Sequence, residues 1–390
     1  MTATDYADFV RTGPDTLAGR YLRRFWQPVY RSQDLSPGQA APIRIMGEQF
    51  TLYRGEQGNV HLVAFRCAHR ATQLSTGWVE GDGIRCLYHG WKYDGAGQCV
   101  EQPSEDPGFA AQVKIASYPV HEYLGLVFAY LGDGVPPPFR RFPDFERPFV
   151  VEAGPPEIWP CNYFNRIDNA CDAQHVLYTH RETIIRAGRT NQLSQRSISS
   201  EETEYGIRTA VQVPDRPPSY LHFHMPNINQ TRSATRVEGT MADAQSLWVD
   251  RLFWRVPIDD DHSISFVVDC VHLTGEEADA YRERRRFAQE TQTAPLNDIG
   301  ETVLAGRAHV RAMDPGLSTY KTFWVEDYAT QVGQGPIADR GHERLGRNDG
   351  GVVLLRKLWE RELLRLASGS PLKEWKTPAG LADMSVVPLG

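Results

Sequence analysis

Two short segments constrain this chain more than any other feature: Cys67-Ala68-His69 and Cys86-Leu87-Tyr88-His89, sixteen residues apart in the run CAHRATQLSTGWVEGDGIRCLYHGW. Each offers one thiol and one imidazole from a few consecutive residues. Two such loops brought together present two sulfur and two nitrogen ligands. That set suits a structural zinc ion, bound tetrahedrally. It also suits a two-iron, two-sulfur cluster of the Rieske type, which takes two thiolates on one iron and two neutral imidazoles on the other. Zinc loops usually pair like with like, and these loops are mixed.

The rest of the composition narrows the setting. The other four cysteines, Cys99, Cys161, Cys171 and Cys270, are irregularly spaced and read as small core residues. Six cysteines so arranged argue against a disulfide framework and for a reducing cytoplasm. The start MTATDYADFV lacks the basic head and apolar core of a secretory signal, and no apolar run is long enough to span a membrane. A net charge of −7 without a basic run excludes nucleic acid and anionic membrane as expected partners. With 390 residues, 41% of them hydrophobic, the chain can bury two ordinary cores.

Pro14 to Val29 reads as a short amphipathic helix running into a strand. From Pro42 to Gly132 short alternating runs such as FTLYRG and VHLVAF lie between Gly, Asn and Asp turns, which is a β texture. Five prolines between 136 and 148 mark a linker or wrapping loop. Beyond it, Asn162 to His180 reads as a helix, SLWVDRLFWRVPI and SISFVVDCVHL as strands, and EEADAYRERRRFAQETQ as a charged surface helix. Gly350 to Ser368 reads as an amphipathic helix with Asp349 as its N-cap. The second half is therefore α+β, a mostly antiparallel sheet with helices on it.

A second constellation lies in DNACDAQHVLYTH, which holds Asp168, Asp172, His175 and His180. Mononuclear non-haem iron sites use two histidines and one carboxylate on one face of the metal. His175 and His180 are the candidate imidazoles. Five residues correspond to about 140° around an ideal helix, so the helix must end or bulge near His180. Asp172 lies three residues before His175, on the neighbouring face. A polar surface helix is the alternative reading of this segment taken alone.

Taken together, these motifs identify a resemblance. The flanks Tyr88, Gly90, Trp91, Lys92 and Tyr93, and the arrangement Asp-x-x-His-x4-His, resemble the Rieske non-haem iron oxygenases. GRYLRRFWQPV, CVEQPSE and the late DR-x2-E-x-LG-x2-D element look most like the phthalate dioxygenase branch. The likeness spans nearly the whole chain, with the motifs in the family's order. It implies an N-terminal segment, 1–26, packing on the body. An all-β Rieske domain over 27–135 and a catalytic non-haem iron domain over 136–390 would follow. Cys67, His69, Cys86 and His89 would hold the cluster. No extra cysteine sits in Arg70–Thr72 or Leu87–Tyr88, so the loops resemble the lower-potential type without a loop disulfide. His175 and His180 would bind Fe(II), with a third ligand in FWVEDYATQVG. Asp327 takes the family's ligand position there, and Glu326 is its competitor. Asp172 would instead join His175 to His89 of an adjacent subunit, an electron-transfer bridge.

The activity so implied is that of a terminal oxygenase. It would oxygenate an aromatic compound, such as an aromatic carboxylate, by dihydroxylation, hydroxylation or oxidative demethylation. Electrons would come from NADH through a reductase, directly or by way of a ferredoxin, and the assembly would be a trimer or stacked trimers. A Rieske electron carrier without oxygenase activity is the competing class. It leaves Asp172, His175, His180 and everything after the linker unexplained. Arg181, Arg186 and Arg189 are candidates to clamp a substrate carboxylate, and His222 and His224 candidates for the pocket. Asp339, Arg340 and Glu343 read as an ion-paired turn.

Overall fold

The computed structural model describes residues 7–103, 105–186, 196–215, 218–235, 247–290, 296–314, 316–378 and 380. The chain divides into two compact units. One comprises Arg11–Arg140 with Val256–Asp260, and the other comprises the remainder. Five of the prolines noted in the sequence, at 136–138, 143 and 148, straddle the division at Arg140.

The first unit is all β, apart from Leu17–Leu22 and single 3-10 turns. A four-stranded sheet runs in the order Ala40–Ile45, Glu48–Arg54, Val60–Ala64, Ser117–Tyr118. A second four-stranded sheet is a meander of Trp78–Glu80, Gly83–Arg85, Lys92–Tyr93 and Cys99–Glu101. A three-stranded sheet joins Gln27–Arg31, Leu126–Ala129 and Val120–Tyr123. Turn chemistry sets this pattern. Gly81 takes a φ of +61°, a conformation that glycine adopts without steric cost, and closes the hairpin of Trp78–Glu80 with Gly83–Arg85. Tyr53, Val63, Leu74, Ile84, Trp91 and Tyr93 form one buried cluster together with Cys67, Cys86 and Cys99.

The second unit is α+β, as the sequence led us to expect. Its eight-stranded sheet runs Val150–Ala153, Ser263–Val271, Leu247–Pro257, Ile228–Thr235, Ser219–His224, Gly206–Gln212, Ser197–Glu202, and Glu157–Trp159 also pairs with Ser263–Val271. Helix Gly350–Ala367 buries Val352, Leu355, Leu358, Trp359, Leu363 and Leu366, the three-and-four spacing of one helical face. Its start lies so close to the Cys171 carbonyl that a Cβ on Gly351 would stand 2.2 Å from that oxygen.

Two local expectations are corrected. The helix expected over Asn162–His180 is two pieces, Tyr163–Ala170 and His175–Tyr178; it ends near His180 as the angular spacing required, and a separate helix Arg181–Arg186 follows. The first break comes at Cys171–Gln174, well before His180. Asp172 causes it, because its Oδ1 accepts the main-chain N–H of Gln174 (2.8 Å) and of His175 (3.2 Å). An aspartate that bonds its own backbone this way competes with helix continuation. Asp349 does stand at the N-cap of Gly350–Ala367, but it makes no side-chain cap there. Its Oδ2 turns back to accept Gly346 N–H.

Candidate metal centres

The two Cys/His loops are built alike. Cys67 N–H donates to Thr72 O (2.8 Å) and Cys86 N–H to Trp91 O (2.8 Å), each five residues on. Ala71 N–H returns to Cys67 O (3.0 Å) and Gly90 N–H to Cys86 O (3.1 Å), each four residues back. Both loops turn through a positive φ, +59° at Ala71 and +72° at Gly90. Both thiols are buried. The His69 and His89 rings stand 4.4 Å apart at 67°. Trp91 stacks on His69 at 4.6 Å and 10°. The Tyr93 hydroxyl lies 3.2 Å from Cys67 Sγ and accepts Ala68 N–H.

Electrostatics fit a ligand role. Burial pushes the Cys86 thiol up, and the neighbouring Cys67 adds to the rise, so a thiolate here needs a cation to stabilise it. Desolvation, then His69 and Arg70, hold His89 below its ordinary value and so neutral, the form that binds metal. His69 Nδ1 is buried with no hydrogen-bond partner.

The second centre joins three elements of the α+β unit. His175 opens its helix, His180 precedes Arg181–Arg186, and Asp327 lies on helix Thr319–Val332. One ligand atom from each falls within 4.8 Å of the others. Asp327 Oδ1 is 3.4 Å from His180 Nε2 and 3.8 Å from His175 Nε2. Asp327 Oδ1 and His180 Nε2 are both buried and lack a hydrogen-bond partner. Two facing buried atoms left so are what a cation between them would satisfy. Burial holds His175 below its ordinary value, against the pull of Asp327. The His175 Nδ1 bonds the main-chain oxygen of Asp172 rather than its carboxylate. This bond fixes the ring so that Nε2 faces Asp327.

Several contributors carry no motif in the sequence. Asn169 Nδ2 lies 3.4 Å from His175 Nε2. Phe323 stacks on His180 at 3.4 Å and 12°. Thr183 holds Glu326 through N–H and hydroxyl. Phe323 could have been found, since it precedes Glu326 and Asp327 by three and four residues on one helix face. Asn169 had no signal apart from its place one turn before Asp172.

Among the described residues, the other sequence candidates are not part of this ligand cluster. Asp168 accepts from Arg340 and Arg356, and Glu343 also pairs with Arg356, so the late Asp-Arg-Glu turn is ion-paired to helix Tyr163–Ala170 through Arg340 and to helix Gly350–Ala367 through Glu343. Arg186 donates to Asp314 O and Met313 O, and Arg181 is exposed. Arg189 lies outside the described residues. His222 and His224 alternate on Ser219–His224, both buried, with ring contacts to Tyr205. His222 Nδ1 bonds the Tyr205 hydroxyl at 2.6 Å, and His224 Nε2 bonds Gln230 at 2.8 Å.

Two family models match the chain. Residues 25–119 match the Rieske [2Fe-2S] domain, and residues 159–310 match the vanillate O-demethylase oxygenase C-terminal domain. The 5,5'-dehydrodivanillate O-demethylase oxygenase subunit of Sphingobium sp. is 29% identical, over 96% of this chain and 83% of its own. The tert-butanol monooxygenase / tert-amyl alcohol desaturase oxygenase subunit of Aquincola tertiaricarbonis is 30% identical, over 98% and 80%. The phthalate 4,5-dioxygenase oxygenase subunit of Pseudomonas putida is 29% identical, over 92% and 85%.

Proposed function

The chain belongs to the Rieske non-haem iron oxygenases, and from that premise we propose that it is a terminal oxygenase whose two metal centres are held by the residues described above. The family's cofactors are a Rieske cluster and a mononuclear iron. We assign Cys67 and Cys86 to one iron of the cluster, His69 and His89 to the other, and His175, His180 and Asp327 to the mononuclear ferrous ion. The observation that carries this reading is the convergence of three ligand atoms within 4.8 Å, two of them buried and unbonded.

Bound there, the cluster would supply single electrons and the ferrous ion a site for dioxygen chemistry. The chain's part is to orient and to exclude. The Asp172 carbonyl holds His175 in the tautomer that frees Nε2. Trp91 packs flat on His69, and Phe323 on His180. The Asp172 carboxylate uses one oxygen on main-chain N–H groups, which leaves the other for a neighbouring subunit's His89.

The substrate we propose is an aromatic compound, hydroxylated, dihydroxylated or demethylated. Aromatic acids and aryl ethers are suggested by the names of the phthalate and dehydrodivanillate relatives. The tert-butanol relative adds branched alcohols to a screen. Reducing equivalents would come from an NADH-dependent reductase, directly or through a ferredoxin. The assembly would be a trimer or stacked trimers in the cytoplasm. Among the described residues no helix is long and apolar enough to cross a membrane.

Metal analysis and the visible spectrum test the core of this reading. We expect about three irons per chain with Rieske absorption. His175→Ala should lose about one iron and all oxygenation while the Rieske spectrum stays. Two irons per chain, unchanged in that variant, would favour an electron carrier, and colourless protein containing zinc would sink both. Oxygen uptake with a surrogate reductase, across aromatic carboxylates, methoxy-aromatics and tertiary alcohols, then identifies the substrate.

A further inference from the structure

Two consecutive acids hold His180 from its two nitrogens. Asp327 Oδ1 lies 3.4 Å from Nε2, and Glu326 Oε2 lies 3.2 Å from Nδ1. Consecutive helix residues point about 100° apart, so the pair approaches the ring from different directions. Their surroundings differ sharply. The Glu326 side chain is 1% exposed. Its Oε1 accepts Thr183 N–H (3.0 Å), and its Oε2 accepts the Thr183 hydroxyl (2.7 Å) as well as His180 Nδ1–H. Asp327 Oδ1, by contrast, is buried without a hydrogen bond. Unused ligand capacity therefore sits on Asp327, while Glu326 is already satisfied by the protein.

We propose that Glu326 is a positioning residue for the metal centre: its carboxylate fixes the Nδ1–H tautomer and the orientation of His180, so that Nε2 is presented to the metal. This rests on the assignment of His175, His180 and Asp327 to the ferrous ion. A neutral imidazole carries one ring proton. With that proton on Nδ1, the Nε2 lone pair faces Asp327 Oδ1, and a cation belongs between them. Thr183 keeps the Glu326 carboxylate in place, and Phe323, stacked at 3.4 Å, blocks rotation of the ring. A carboxylate behind a metal-bound histidine also makes it a stronger ligand, and losing such a partner typically lowers metal affinity ten- to a hundredfold.

The test uses the full-length, iron-loaded protein. Glu326→Gln, Glu326→Ala, His180→Ala and Asp327→Ala are compared by iron content, by the rate at which a ferrous chelator extracts the mononuclear iron, and by the electron paramagnetic resonance signal of its nitric oxide complex. Rieske absorption reports that fold and cluster are intact. Both Glu326 variants should keep the Rieske spectrum and release the mononuclear iron roughly tenfold to a hundredfold faster. Glutamine should be the milder change, because its carbonyl still accepts from Nδ1–H. Both should shift the rhombicity of the nitric oxide signal, which a purely structural contact would leave alone. Wild-type extraction and signal in Glu326→Gln and Glu326→Ala, with iron lost in His180→Ala, would overturn the proposal. So would loss of the mononuclear iron in Glu326→Gln as complete as in Asp327→Ala, since Glu326 would then be a ligand. Full iron in His180→Ala would instead overturn the ligand assignment beneath it. If Glu326→Ala fails to fold, Glu326→Gln alone decides.

Discussion

One carboxylate oxygen of Asp172 accepts main-chain N–H groups from Gln174 and His175, and an asparagine carbonyl can do the same. Asp172→Asn should therefore keep the local turn, both metal centres and the Rieske spectrum. It removes the negative charge that would face a neighbouring His89. We expect turnover to collapse with metal content unchanged, and near-normal oxygen uptake coupled to product would refute the bridging role. His222 makes a different prediction. Burial, with Arg208 and Arg232 adding, holds its imidazole down to about 4. The groups around it are the Tyr205 hydroxyl, the Tyr220 ring, and Arg208 and Gln230 across the adjoining strands. Between about 6.5 and about 4 an unfolded chain takes up a proton here that the folded chain refuses. Stability therefore falls as pH drops through that window, by up to about 3 kcal/mol from this group. His222→Gln should flatten that part of the dependence. Thermal midpoints of both proteins from pH 7 to pH 4 check it, and parallel curves would show that His222 does not titrate this way.

Elements differ in how far the sequence discloses them. The cluster loops were legible because their chemistry is local: one Cys and one His lie within four positions of each other in each loop. Some strands were legible, such as Glu48–Arg54 and Val60–Ala64 from alternation and Leu247–Pro257 and Ser263–Val271 from their apolar runs, whereas Ser197–Glu202 and Gly206–Gln212 were not named. The interrupted iron helix was only half legible. Angular spacing required an end or bulge near His180, and the helix does end at Tyr178, but it gave no sign of the earlier break where Asp172 bonds its own backbone. The partner of the late Arg340 could not be read, because Asp168 lies far away in sequence and meets Arg340 and Arg356 only through folding, with Glu343 on Arg356 as well. Likewise, nothing local marks Gly351 apart from Gly350, yet they differ. A Cβ at Gly350 meets nothing within 4 Å, whereas one at Gly351 meets the Cys171 carbonyl. Gly350→Ala should be neutral or stabilise by about 0.4–1 kcal/mol through the unfolded chain. Gly351→Ala must push helix Gly350–Ala367 away from the segment that carries Asp172, at a cost of about 1–3 kcal/mol. Unfolding midpoints of the two variants should move in opposite directions or diverge clearly, and equal effects would mean that the helix yields freely.

At the scale of the assembly, the proposed bridge through Asp172 makes catalysis a property of pairs of chains. If electrons leave the cluster of one subunit for the iron of the next, a chain without a cluster and a chain without a mononuclear iron can repair each other. Cys67→Ser supplies the first and His175→Ala the second. Each alone should be inactive. Co-expressed in equal amounts and carrying two different tags, they should form mixed rings. In a closed head-to-tail ring, a productive interface needs an intact cluster on the donating side and an intact iron site on the accepting side. Random mixing makes about a quarter of interfaces productive, so activity should return to about a quarter of wild type. Selecting rings that carry both tags should raise that fraction, because rings of one kind contribute nothing. Transfer confined within a chain predicts no recovery at any ratio, since every chain in the mixture lacks one of its two centres. Adding Asp172→Asn to the iron-intact chain should abolish the recovery, whereas the same change in the iron-free chain should not, because that chain accepts no electrons. This asymmetry tests both the direction of transfer and the residue that carries it.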